Sequence, residues 1–265
     1  MKKKLLALSL VAAMAVGVFA GCSSSEEPAE TTEGTEESAE ATGEKYIIAT
    51  DTVFPPFEFT NEDGDFVGID VDIINAIAED QGIDVEIQSL GFDAALLAVQ
   101  SGQADGVIAG MSITDERKQS FDFSEPYFDA DVTMAVAKGS DVKSYEDLAG
   151  KTVAVKTATN GADFAKAIAD EYGFTVVEFK DSPTMYQDVI AGNTAACFED
   201  YPVMAYNIQQ GAELEMPEGA TAAGTQYGFA VAKGQNAELL EKFNAGFANI
   251  KENGKIQEIV DTYTK

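Results

Sequence analysis

The chain has 265 residues, two cysteines, no histidine and a formal charge of −29. Acidity on this scale repels phosphate backbones and anionic membrane faces, so nucleic acid is excluded as a partner. The missing imidazole removes the usual hydrolase triads, zinc sites and most general bases.

In chain order, Lys2, Lys3 and Lys4 form a basic start, followed by an uncharged run from Leu5 to Gly21. The run is short for a membrane span of ~20 residues and has the order of a secretory signal. Its end, VFAGC, resembles the cleavage box of bacterial lipoproteins, with Phe19 where Leu is usual. Residues 1–21 are therefore expected to be a lipoprotein signal, Cys22 the lipidated residue, and the protein exported and anchored on the outer face of the cell membrane. Cys197 is then the one thiol left, and no intramolecular disulfide can form. Residues 22–44 hold eight Glu and no base. They cannot bury enough apolar surface to offset ordering, and read as an acidic disordered tether.

From Tyr46 the pattern alternates. YIIAT is a strand, VDIINAIAEDQG a helix stopping at Gly82, DVEIQSL a strand, FDAALLAVQSG a helix ending at Gly102, and ADGVIAG a strand. The order then recurs: KTVAVKT, the helix ADFAKAIADEYG, TVVEFK, the helix SPTMYQDVIAGN with Ser182 as its cap, TAACFED, and the helix YPVMAYNIQQG. Such β-α-β-α-β runs make parallel sheets covered by helices, here twice. MAVA and YGFAVA read as strands crossing between two lobes, and the remainder from Ala237 to Tyr263 as one helix returning to the first lobe.

Ligands of open parallel sheets bind beyond the carboxyl ends of the strands. Asp51 to Phe59, Gly110 to Ser112, Lys156 to Asn160, and Glu199 with Asp200 occupy such ends. If the lobes face each other, these stretches line one cleft. Amides at a helix start attract anions, so Thr159 and Asn160 can meet a carboxylate or serve as an ordinary cap. Asp200 can cap the helix beginning at Tyr201. Asp51 accepts and Lys156 donates, which suits a side-chain amide such as glutamine's; alternatively the two pair with each other.

DTVFPPFEF, GIDVDIINAIA, LGFDAAL, GMSITDERKQSFDFSEPYF, SYEDLAGKTVAVKTATNGADFA and YGFAVAK stand in one order over residues 45–265. In them the chain resembles the polar amino-acid branch of the bacterial extracellular solute-binding proteins of ABC importers, and looks most like the glutamine binders. The resemblance implies an α/β fold of two Rossmann-like lobes joined by two hinge strands, the type II periplasmic binding protein fold. Lobe 1 would be 45–131 plus 226–265, and lobe 2 would be 132–225. It implies that Arg117, after the Thr114 cap, clamps a ligand carboxylate. Ser112 would meet that carboxylate and the ammonium, and the Gly110 carbonyl and Asp200 would take the ammonium. Phe54 and Phe92 would sandwich the ligand side chain, with Phe57 and Phe59 left to the core. Glu199 departs from the neutral or weakly basic residue of glutamine binders, which keeps a basic or cystine-like ligand open. The expected partners are an amino acid and a membrane permease, with no cofactor and a monomeric receptor. An exported cyclohexadienyl-type dehydratase shares the fold but would not carry a full α-amino-acid clamp, and a sensor feeding a membrane kinase would carry an attached span and a signalling domain.

Overall fold

The computed structural model describes residues 45–265. The expected signal, Cys22 and the tether lie outside the described residues. Within them no helix is long and apolar enough to cross a membrane.

The first run is β1 (Lys45–Thr50), a short hairpin of β2 (Phe59–Thr60) and β3 (Phe66–Val67), α1 (Ile69–Gln81), β4 (Asp84–Ser89), α2 (Phe92–Gln100), β5 (Gly106–Val107) and β6 (Phe121–Phe123). β7 (Phe128–Ala137) leads into the second run, β8 (Thr152–Lys156), α3 (Asn160–Tyr172), β9 (Thr175–Phe179), α4 (Ser182–Ile190), β10 (Ala196–Asp200), α5 (Tyr201–Gln209) and β11 (Leu214–Glu215). The chain returns through β12 (Thr221–Tyr227) and β13 (Ala230–Ala232) to α6 (Ala237–Glu252) and α7 (Lys255–Thr264).

One sheet has the order β4-β1-β5-β13-β6 and the other β11-β7-β10-β8-β9, with β12 also paired to β7. β1 is parallel to β4 and β5, and β8 is parallel to β9 and β10. The two halves thus share one plan: the first strand of each lies in the middle, and its successors fall on opposite sides. That arrangement opens a crevice at the carboxyl ends of β1 and β5 in one lobe and of β8 and β10 in the other.

The helices form where the sequence supplies a stripe. α1 buries Ile69, Ile73, Ile74 and Ile77 and stops at Gly82, whose φ of 63° needs no Cβ. Each such isoleucine contributes roughly 1.5–3 kcal/mol by burial. The same core takes Phe229, Phe243, Phe247, Ile250 and Ile259 from the end of the chain. A second core, under β7, β8 and β10, draws on Val132, Met134, Val153, Val155, Phe174 and Phe198.

Three details differ from the sequence reading. The C-terminal helix is two helices, because Gly254 sits at φ 85° after Asn253 and turns the chain. Asp181, not Ser182, caps α4: its Oδ1 accepts from the Thr184 amide at 2.8 Å. The crossing strands meet as an antiparallel ribbon at Ala130–Thr225, Asp129–Gln226 and Phe128–Tyr227, upstream of MAVA. A bulge lies between Ala222 and Thr225. Gly224 fits there because a Cβ would stand 1.8 Å from the Ala130 carbonyl oxygen.

Candidate functional site

Four strand ends converge. Thr50 leads to Asp51, β5 to Gly110 and Ser112, β8 ends in Lys156, and β10 ends in Asp200. Nine of the ten predicted residues line one cavity: Phe54, Phe92, Gly110, Ser112, Arg117, Lys156, Thr159, Asn160 and Asp200, joined by Ala109. The space in it that a water-sized sphere can reach is about 10 Å³, room for about one water molecule, so its walls stand closed on one another.

The tenth residue, Asp51, stands behind Lys156 rather than on the wall, and the two form a buried ion pair. The alternative weighed from the sequence, that they pair with each other, is therefore what the geometry holds. Asp51 also accepts from the Thr52 amide at 2.6 Å. The Lys156 ammonium lies 4.3 Å from the Phe54 ring centre and 5.5 Å from that of Phe92. Burial alone would lower its pKa, but Asp51 and Glu199 outweigh that and raise it. The two rings predicted to flank a ligand thus flank this cation as well. Phe57 is fully buried, as expected of core, whereas Phe59 is half-buried between Tyr206 and Tyr263.

Arg117 begins a single 3-10 turn, not an α-helix, and Thr114 Oγ1 accepts its amide at 3.2 Å. Its guanidinium donates to the carbonyls of Ser112 and Ala158, each at 2.8 Å. No carboxylate lies within ion-pair distance of this arginine, the only one in the sequence, among the described residues. Desolvation pushes its pKa down, against the pull of Asp163 and Asp200. Ala158 pays for its contact with a left-handed backbone, φ 63°, an uncommon conformation for alanine.

Thr159 caps α3, its Oγ1 accepting from the Ala162 amide at 3.2 Å. The amides of Asn160 and Gly161 have no backbone acceptor among the described residues, which leaves donors at the cavity edge. Asp200 occupies the cap position of α5 without a capping bond. Its Oδ2 accepts instead from the Tyr227 hydroxyl. Desolvation and then Glu199 push the Asp200 carboxyl up to about 7, against the Tyr227 bond, Arg117 and Lys156.

Glu199 does not line the cavity. Its carboxylate is buried and held by Ser182 Oγ at 2.7 Å, Tyr186 OH at 2.9 Å and the Asp200 amide at 3.0 Å. Gly110 has φ 52°, and a Cβ would stand 2.6 Å from Phe54 Cε1. Only glycine lets that wall close. Sequence reasoning missed Ala158 and Tyr227; the aromatic in YGFAVA was read only as strand, although a tyrosine at a crossing point has a hydroxyl to place. A larger groove, lined by Pro126, Asp129, Tyr201 and Gln226, opens beside the ribbon. Its carboxylates are engaged locally: Asp122 by Lys233, Asp129 by Gln226, Asp131 by the Gly224 amide.

The family model described as bacterial extracellular solute-binding proteins, family 3, matches residues 46–265. The chain belongs to that family. This solute-binding protein is 30% identical to the arginine-binding extracellular protein ArtP of Bacillus subtilis (strain 168), over 98% of its own length and 96% of the relative's. It is 46% identical to the Lactococcus lactis GlnP substrate binding domain 2 in open conformation, covering 84% of this chain and 96% of that one, with a TM-score of 0.60. An ancestral arginine-binding protein bound to glutamine is 40% identical, with coverage of 83% and 97% and a TM-score of 0.76. The fold is that of two α/β lobes joined by two hinge strands.

Proposed function

We propose that this solute-binding protein captures a polar amino acid, L-glutamine by preference, between its lobes and delivers it to a membrane permease. It is an amino-acid receptor of an ABC importer, as its family and relatives support. The observation that carries the ligand reading is the charge arrangement. The guanidinium of Arg117, bonded only to carbonyls, and the buried Asp200, which no cation hydrogen-bonds, line the same cavity. A zwitterion supplies the missing partner for each. Its carboxylate meets the Arg117 fork and the free α3 amides, and its ammonium meets Asp200 and the Gly110 carbonyl.

Lys156 keeps two of its three N–H donors after pairing with Asp51, which stands behind it and fixes the ammonium. Those donors match the carbonyl oxygen of a primary amide. Micromolar affinity needs about −8 kcal/mol, which a handful of charge-assisted bonds at ~1.5–3 kcal/mol each can supply after desolvation. Lobes of 45–131 with 226–265 and of 132–225 would close on the ligand. The poorer overlay on the more identical domain in open conformation is what a rigid rotation about the ribbon produces. A lipid on Cys22 and the 22–44 tether would keep the receptor, a monomer, beside its permease. A second reading, a basic ligand, is favoured by the excess of carboxylates: Asp51, Glu199 and Asp200 against Lys156 and Arg117.

A thermal-shift screen of the protein against the twenty amino acids tests both readings. Glutamine is expected to give the largest upward shift. A large shift with arginine or lysine and none with glutamine overturns the glutamine assignment.

Affinity is also expected to depend on pH. Only ionised Asp200 pairs with an ammonium, so binding lowers its pKa and expels a proton. Affinity then rises with pH up to about 7 and is flat above, falling about tenfold per unit well below that point. Calorimetry between about pH 5 and about pH 8.5 reads this directly. A constant Kd over the range removes Asp200 from the ammonium site.

A further inference from the structure

Beneath the cavity two carboxyl groups meet with no cation between them. Glu58 closes the turn that carries Phe54: the Phe54 amide donates to the Glu58 carbonyl at 2.6 Å. Asp70 lies in the first turn of α1. Both are fully buried. Asp70 Oδ2 accepts from the Gly110 amide at 2.7 Å and from the Tyr127 hydroxyl at 2.8 Å. Asp70 Oδ1 and both Glu58 oxygens receive no N–H or O–H from other groups among the described residues. The two are neighbours: the Asp70 amide donates to the carbonyl of Phe57, the residue before Glu58, at 2.9 Å, and each carboxyl acts on the other's proton affinity. Two bare carboxylates in such a place are prohibitive, and one proton between them removes a charge and satisfies an orphan oxygen on each side.

The two members are not equivalent. Asp70 already receives two donors, which favour its ionised form, and Glu58 receives none. We propose that Glu58 is a neutral carboxylic acid donating its proton to Asp70, and that the Glu58–Asp70 couple positions Gly110 and Phe54, two walls of the amino-acid site. The role assigned to Gly110 rests on the amino-acid reading above; the shared proton does not. Around Glu58 stand Asp70 from α1, Asp51 after β1, Lys156 at the end of β8 and Tyr127 ahead of β7. Burial, then Asp70 and Asp51, push the Glu58 carboxyl well up, against Lys156 alone. The couple fastens the turn after β1 to the loop after β5 within one lobe, so those two walls are set before closure.

Glu58→Gln and Asp70→Asn, made in the full chain, separate the roles. Glutamine keeps a neutral donor, so E58Q is expected to bind amino acids within about twofold of the parent. D70N removes the charged acceptor of the Gly110 amide and is expected to bind at least about tenfold more weakly, with a shifted Gly110 amide resonance. Difference infrared spectra at about pH 8.5, where Asp200 is ionised, should show the C=O stretch of a protonated carboxylic acid in the parent and none in E58Q. Absence of that band in the parent, or its survival in E58Q, overturns the proposal even if D70N fails to fold. E58Q binding as poorly as D70N overturns the positioning role. If the band is present but no amino acid binds the parent, the fault lies in the amino-acid reading instead.

Discussion

Replacing Arg117 by alanine is expected to remove measurable binding of every amino acid while leaving the fold intact. Arg117 is half-buried and its guanidinium donates only to two carbonyls, so its loss breaks no ion pair. Two parallel charge-assisted bonds to a carboxylate carry about 3–6 kcal/mol together, or a hundredfold and more in Kd. Arg117→Lys keeps the charge but not the fork, and is expected to recover only part of that affinity. Calorimetry on the parent and both variants measures the loss. Circular dichroism should report an unchanged melting temperature for the unliganded protein within a few degrees. An Arg117→Ala protein that binds like the parent sinks the carboxylate clamp.

Lys156→Met is expected to act differently, because its ion pair is buried and joins the two lobes. The methionine leaves Asp51 without its counter-charge, close to Glu58. Removing one partner of a buried pair costs about 3–5 kcal/mol, and here the cost falls on the closed arrangement. All amino acids should bind about two to three powers of ten more weakly, and the order of preference should change. Adding Asp51→Asn relieves the orphan charge. The double variant is expected to regain most of the general affinity without the preference for glutamine over asparagine. A double variant that keeps that preference would show that the pair plays no part in specificity. A Lys156→Met protein with unchanged Kd values would show that the pair does not support closure.

Much of the fold was legible because its signals are local. Ile69, Ile73 and Ile77 mark a helix face, Gly82 and Gly173 end helices, and short apolar runs mark strands between them. The break at Gly254 was hidden because the apolar spacing continues through it, although Asn-Gly is a turn pair. Asp181 and Ser182 are both good caps, and spacing alone does not rank them; the choice falls on Asp181 because Glu199 draws the Ser182 hydroxyl inward. The site was legible for another reason. Residues at strand ends gather wherever two parallel sheets face each other, and the motif order named which side chains to expect there. What stayed illegible was pairing across distance. Nothing in DTVFPPFEF tells Glu58 that Asp70 will face it, and nothing in YGFAVA aims the Tyr227 hydroxyl at Asp200. Such contacts depend on rotamers and on the approach of loops, which no local pattern encodes.

The return of α6 and α7 to the first sheet bears on the order in which the molecule can be completed during synthesis. The core beneath β7, β8 and β10 takes its buried members from Val132 to Ala220, one uninterrupted stretch. The other needs Ile48 and Ile69 from the start and Phe243, Ile250 and Ile259 from the finish. A nascent chain can therefore consolidate its middle while its beginning waits, unsealed, for the last helices to arrive. Loss of the final two helices by proteolysis or an early stop would strip one half of its cover and spare the other.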